Sequence, residues 1–457
     1  MKFSQLNFNV TNIWQITSLF FILLLVLSVI FLSYALKPTK AMEGLLPKYE
    51  PVQHVSSNPN LYVSAENTLV ANYFAGPMVI EVIISDPDIS QLNQVYGEPV
   101  VTVNGKRLRM EQGTDGNWYG YFADRDQAIA AANTAVLTGK GLNFGGFCGP
   151  DSSLSPKSGL DYSETEGFTI ARGGFGSIND TNNGDIKISS SNLPSCTNRQ
   201  GILTTTQMEH VIRENKTLNT NADGFAANSM EENIWPVIQL YDFSALPTPV
   251  TVDYQKAGGD QAVNLIFDRI PSNMIRVYVD RSDFPPGAQV QGDLLDPQLN
   301  IDPTSEDSWT WGTSPKNNTL YYMAFDRTGK PDADGTPAMQ NLVGNLTTFM
   351  FNHNGALTEN ADPQGVIVAK LQSNGIQTLY MDSNGLMRTK SISGSSIPIT
   401  LCELTPNSGI FSDYDDAGIS DLVILDNAPR DKSFTVTYND KSYSVVVKYH
   451  NAKLTLG

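Results

Sequence analysis

Cysteine is nearly missing from this chain, with three residues in 457, so a disulfide framework is excluded as its main source of stability. A chain of this length can bury enough apolar surface to stand without one. Histidine is as scarce. His54, His210, His353 and His450 lie far apart, with no HExxH and no paired spacing to cysteine, which argues against zinc and copper. No Gly-x-Ser-x-Gly elbow and no P-loop occurs, and nothing singles out a glycosidase pair among the 47 acidic residues. The chain is therefore expected not to be an enzyme.

Positive charge is also in short supply. Lys and Arg total 30 against 47 Asp and Glu, a net charge of −17. Lys2 is the only charged residue before Lys37, so the remainder sets 29 basic against 47 acidic residues, a net −18. Such a surface repels nucleic-acid phosphate and anionic headgroups and attracts cations. A nucleic-acid partner is thereby excluded.

One long apolar run is present. Ile16–Leu36 reads ITSLFFILLLVLSVIFLSYAL without a charge, with Trp14 and Tyr34 near its ends. At about 1.5 Å of helical rise per residue it matches a hydrocarbon core of about 30 Å, and aromatic rings favour the interfaces. The run exceeds the usual apolar core of a signal peptide, and only Lys2 precedes it, yet Ser33-Tyr34-Ala35 has cleavage-site spacing. The expected arrangement is a cytoplasmic stretch over 1–13, a transmembrane signal-anchor helix over 14–36 and a Pro-rich linker over 37–59. Secretion after signal cleavage is the alternative. Lys37, Lys40 and Lys48 lie on the side that charge rules would keep inside, but long domains translocate largely regardless.

Beyond the linker, Gly (36) and Pro (25) are abundant, as suits short strands joined by turns. VIEVIIS over 79–85 is a β-branched strand, PVVTVNGKRLRM a hairpin about Asn104-Gly105, and NWYGYFAD a further strand. Asp124–Val136 is Ala-rich and predicts a short helix; capping-box spacing at Thr206–Glu209 predicts a second, running to about Glu214. Two patterns recur in order. GPMVIEVIISDPDI (76–89) is matched by GAQVQGDLLDPQL (287–299), each a Gly turn, a strand and an Asp-Pro stop before an apolar residue. LRMEQGTDGNWYGYFAD is likewise matched by ITLCELTPNSGIFSD. The fold class predicted is mainly β, with two immunoglobulin-like β-sandwich units after the N-terminal helix. Unit one covers 60–271, with an insertion at 148–196 and both short helices; unit two covers 272–457.

Asn-x-Ser/Thr acceptors at Asn179, Asn215, Asn317 and Asn345 suit an exported chain. Cys148 and Cys196 bracket the Gly/Ser/Asp-rich insertion, where a cross-link in an oxidising compartment gains most, so this pair is expected to form a disulfide. Cys402, in PITLCEL, reads as a buried strand residue.

NLYVSAEN, GPMVIEVIISDPDI, QGTDGNWYGYFADRDQA, GLNFGGFCGP and WPVIQLYDF, followed by VYVDRSDFPPGAQV, LNIDPTSEDSWTWG and VTYNDKSYSVVVKY, span roughly residues 60–450. Over these segments the chain resembles the N-terminal portion of the S-layer proteins of ammonia-oxidising archaea (Thaumarchaeota). The resemblance implies a structural protein of an archaeal cell surface, partnered by other S-layer subunits or by itself; the apolar run over 14–36 adds the expectation of a membrane anchor. Two units, against the many of lattice-building members, suit a subunit that decorates, anchors or assists the lattice. The competing expectation is an anchored adhesin or receptor that captures a glycan or protein through its loops.

Acidic loops offer the oxygen ligands calcium needs. The leading candidates are Asp293, Asp296, Asn300, Asp302 and Asp307, followed by Asp86 and Asp88. Two further clusters are Asp326 with Asp332 and Asp334, and Asp413 with Asp415, Asp416 and Asp421. Trp118, Tyr119 and Tyr121, and likewise Trp309 and Trp311, alternate along strands and read as core packing before ligand groove.

Overall fold

Asn104 and Gly105 both adopt positive φ, 49° and 78°, and turn strand Val100–Val103 back onto Lys106–Leu108, as the Asn-Gly pair requires. The structure is a computed structural model that describes residues 58–134 (except 95 and 97), 237–312 (except 247), 319–324 and 340–351. It also describes most of 398–449 and short segments between 141 and 219 and at 357–369. All of these belong to one contact unit, Pro51–Gly457. The apolar run over 14–36 and nearly all of the linker lie outside the described residues. Among the described residues no helix is long and apolar enough to cross a membrane.

The chain is mainly β, and no sheet joins strands from both sides of residue 272 among the described residues. Besides a two-stranded sheet, Ile178–Asp180 with Ile186–Ile188, the first half holds two large sheets. One runs, in spatial order, through Leu61–Val63, Ile80–Ile84, Trp118–Asp124, Val237–Tyr241, Phe168–Ile170, Gly146–Cys148, Cys196–Asn198 and Gly201–Ile202, with Glu111–Gln112 beside Trp118–Asp124. The other runs through Tyr73–Phe74, Gln261–Phe267, Val250–Gln255, Val100–Val103 and Lys106–Leu108. Their facing side chains share one core, built from Val82, Ile84, Trp118 and Phe122 on one sheet and Val101, Val252 and Leu265 on the other.

Strand Trp118–Asp124 is buried along its whole length. Alternation sends Trp118 and Phe122 into that core and Tyr119, Tyr121 and Ala123 into a second, larger cluster. This second cluster continues through Trp309, Trp311, Phe349 and Phe411 of the second half. The aromatic pairs along these strands are therefore core residues. Cys402 is likewise buried, in strand Pro398–Glu403.

The second half contains a sheet ordered Arg276–Val279, Gly292–Leu295, Ile410–Ser412, Pro398–Glu403, Ser308–Gly312 and Thr319–Tyr322. Two smaller sheets accompany it, one built on the closing hairpin Ser433–Tyr438/Lys441–Val447, where Asn439 turns with φ 53°. The recurrent sequence patterns correspond to recurrent topology. In each half an opening strand pairs antiparallel with the strand ahead of the Asp-Pro stop: Leu61–Val63 with Ile80–Ile84, and Arg276–Val279 with Gly292–Leu295. In each, the short strand between them lies parallel to the last strand of the half: Tyr73–Phe74 along Gln261–Phe267, and Asp283–Phe284 along Lys441–Val447.

The Asp-Pro stops repeat to the atom. Asp86 Oδ1 accepts the Asp88 N–H and Oδ2 the Tyr254 hydroxyl at 2.7 Å. Asp296 Oδ1 accepts the Gln298 N–H and Oδ2 the Tyr438 hydroxyl, also at 2.7 Å. Three residues beyond each Asp, the carbonyl of Ile89 or Leu299 accepts an indole N–H, from Trp118 and Trp309 respectively. Aspartate suits both places because one oxygen can cap the turn while the other ties it to the hairpin tyrosine.

One α-helix lies among the described residues, Arg125–Ala132, capped by Asp124 Oδ1 on the Gln127 N–H. The second predicted helix meets the described residues only at 211–214, and these are not helical. There the Val211 N–H binds the Asn143 carbonyl and the Arg213 N–H binds Asp302, so tertiary acceptors replace the i−4 carbonyls a helix would need.

Candidate functional site

Three fully buried carboxyl groups lie where the two halves meet. The turn after the 3-10 segment Pro297–Leu299 carries Asp302 and Asp307, both 0% exposed. Asp307 Oδ2 gathers the N–H groups of Ile301 and Asp302, which folds 301–307 around its own carboxylate. Asp302 Oδ1 accepts the Thr304 N–H and hydroxyl. Glu403, from the neighbouring strand, is also 0% exposed and accepts the N–H groups of Gly409 and Asp307.

A cation from the other half serves this nest. The Arg213 guanidinium reaches Asp302 at 3.3 Å and Asp307 at 3.2 Å, contacts the Tyr322 hydroxyl and lies over the Tyr322 ring. The Tyr322 hydroxyl donates to Asp307 at 2.7 Å. Burial raises the carboxyl pKa values of Asp302, Asp307 and Glu403; Arg213 opposes the rise at the two aspartates, while Asp307 adds to it at Glu403. Across the joint Glu81 accepts the Tyr121 hydroxyl and is pushed up to about 7, mainly by burial, with Asp302 adding to the rise.

Arg213 belongs to the described residues 211–214 and 216–219, which run as an irregular strap. Val211 and Ile212 are fully buried. Lys216 stacks over Tyr119, Thr217 accepts the Thr114 N–H, and Asn219 bonds Gln112 through both backbone and side chain. Separate contacts also hold the joint. The Val79 N–H donates to the Ile301 carbonyl, Asn407 donates to Tyr62 and Ser64, and Gly76 abuts Phe349.

The predicted calcium ligands are dispersed rather than convergent. Asp302 and Asp307 belong to the nest, while Asp296 is the buried Asp-Pro cap. Asn300 donates to Asn407. Asp86 is held by Lys256 at 2.6 Å and by Tyr254, and Asp88 is exposed, 3.3 Å from Lys256. Asp293 faces Tyr278 and Ser412 across the ladder, near Asp413. Asp413 Oδ1 accepts the Gly292 N–H, and its buried Oδ2 meets no donor. Burial, with Asp293 and Asp280 nearby, raises the Asp413 carboxyl pKa well above its ordinary value. Among the described residues no group of three His, Cys, Asp or Glu could hold a metal ion. Asp326, Asp332, Asp334, Asp415 and Asp416 lie outside the described residues.

Of the glycosylation acceptors, Asn345 ends a 3-10 turn and is half-buried, with Thr347 exposed; Asn179 lies in strand Ile178–Asp180, and Asn215 and Asn317 lie outside the described residues. The strand register sets Cys196 directly opposite Cys148. Opposed antiparallel residues have Cα atoms about 4.5–5.5 Å apart, within the span a disulfide bridges. Peptide mapping without reductant is expected to recover the two cysteines as one linked species and Cys402 as a thiol. Three free thiols would remove the bridge.

Arg213, Glu81, Tyr322 and Glu403 were not legible in the sequence as site residues. Asp302-x-Thr304 reads locally as a turn, but nothing in the sequence announces which cation crosses from about 90 residues away to meet it. The scan of protein-family models returned no match to this chain, and neither did the search of curated proteins.

Proposed function

We propose that this chain is a structural, S-layer-like protein of an archaeal cell surface, built from two immunoglobulin-like β-sandwich units and packing into or beneath an anionic protein lattice. The observation that carries this reading is the recurrence of the same early strand pairings and of one Asp-Pro-Tyr device in both halves, joined through buried carboxyl groups. A rigid tandem of like modules suits a building element. The family resemblance of residues 60–450 and the net −18 beyond the apolar run support the same role. The run over 14–36 serves as its membrane anchor. The acidic face concentrates cations at the surface, and calcium acts as a counter-ion between subunits, where a neighbouring chain completes its oxygen shell.

The adhesin reading has one observation in its favour: the insertion and the chain flanking it supply four short strands that prolong the first sheet beyond Val237–Tyr241. Gold label on the native envelope, imaged by electron tomography before and after chelation, separates the two. A regular array that disperses in chelator is the expected result. Sparse, irregular label would transfer the case to the adhesin, and an array indifferent to chelator would remove calcium.

A further inference from the structure

We infer that the second half holds a pocket for a primary alkylammonium ion, with its nitrogen on Asp413 and its carbon chain along the aliphatic wall between two sheets. The pocket lies between the sheet holding Gly292–Leu295 and the closing hairpin, and it encloses about 20 Å³. Leu294, Ile399 and Val436 are buried walls, while half-buried Val277, Asp293 and Tyr443 form the rim. Asp413 also lines it, 1% exposed, with Oδ1 on the Gly292 N–H and Oδ2 without a donor. A buried acceptor left unmet is costly, so this oxygen marks a place for a group the chain does not supply.

The first half shows what closes such a site. Asp124 is the counterpart of Asp413 in the recurrent pattern, and both its oxygens are taken, by the Gln127 and Phe243 N–H groups. Phe243 follows Val237–Tyr241, the neighbour of Trp118–Asp124; in the second half Pro398–Glu403 lies beside Ile410–Ser412 instead. Room comes from Gly292. At the same distance ahead of its Asp-Pro stop the first half has Val82, fully buried in the core, whereas a carbon added at Gly292 would lie 2.9 Å from the Tyr443 hydroxyl. The lining then selects the chemistry of the ligand. The unmet carboxyl oxygen calls for a donor. Burial raises the Asp413 pKa, and Asp293 and Asp280 add to the rise, so a positively charged donor answers it best. Aliphatic walls favour carbon behind that charge, since a metal ion needs more oxygens than they offer. The enclosed volume takes about one or two non-hydrogen atoms, an ammonium nitrogen and the carbon carrying it, and the rest of the chain leaves past the rim.

Methyl NMR of the full-length protein tests this with n-butylammonium chloride, and n-butanol serves as its uncharged match. Butylammonium is expected to shift the Leu294, Ile399 and Val436 methyl signals saturably, and butanol to bind about thirtyfold more weakly. Asp413→Asn should erase that preference. Gly292→Ala, which fills the cavity, should abolish binding of both, with melting temperatures showing that each variant is folded. Nα-acetyl-lysine methylamide separates the sources of the ligand: binding equal to that of butylammonium assigns the pocket to a lysine side chain, and exclusion assigns it to a free amine. Equal binding of butanol and butylammonium to the wild type would overturn the proposal. So would a butylammonium response unchanged in Asp413→Asn, or none at these methyl groups in the wild type.

Discussion

Gly76→Ala is expected to destabilise the protein by about 2–4 kcal/mol, read as a lowered midpoint in denaturant, while Gly287→Ala costs about 1 kcal/mol. The two glycines open the same turn in the two halves, with φ of 59° and 77°, so the left-handed penalty is common to both. They differ in what a methyl group meets. At Gly76 the added carbon would lie 2.3 Å from the Phe349 carbonyl oxygen, a backbone atom of the other half that cannot swing aside. At Gly287 it would lie 2.8 Å from the Asp426 side chain, which can rotate away. Equal losses at the two sites would mean that the close approach at the joint contributes nothing.

Mild acid is expected to stabilise this protein, against the usual behaviour of chains rich in paired carboxylates. Burial pushes Glu81 up to about 7 and Asp124 and Asp296 to about 6. The folded state therefore holds these protons more tightly than the unfolded chain. Their contribution is complete below the ordinary carboxyl range and is lost as pH rises through about 6–7. Asp86 acts in the opposite sense. Burial works against its charge, but Lys256 and Tyr254 outweigh it and keep its pKa low, so its contribution fails only in stronger acid. Each group raised by about two units is worth on the order of 3 kcal/mol across the window. Calorimetric melting temperature should accordingly climb on going from pH 8 to pH 5 and fall again below about 4. Glu81→Gln should flatten the upper part of that climb. A melting temperature that falls steadily between pH 8 and 5 would contradict the assignment.

Much of the fold was readable before any coordinates. The Asn104-Gly105 turn, the helix beginning at Asp124 and the paired Asp-Pro stops are local signals, written within a few residues of where they act. The acidic joint was not. Aspartates 302 and 307 stood out as oxygen-rich loop residues and suggested calcium, yet their charge is met by Arg213 from about 90 residues away. The same long-range pairing turned the predicted helix end at 211–214 into strap, because the Arg213 and Glu214 N–H groups found acceptors in the other half. Composition reveals an excess of acid; only the fold shows which acids are buried and what answers them.

The parallel pairing of each half's short early strand with its last strand has a mechanical consequence. Tyr73–Phe74 runs beside Gln261–Phe267, and Asp283–Phe284 beside Lys441–Val447, in the same direction. Tension drawn between the entry and exit of either half pulls these neighbours lengthwise past each other. Their evenly spaced hydrogen bonds then share the load in shear instead of peeling one after another. A tether stretched between a cell and its surroundings would thus be gripped at both modules by the same short, load-sharing clamp.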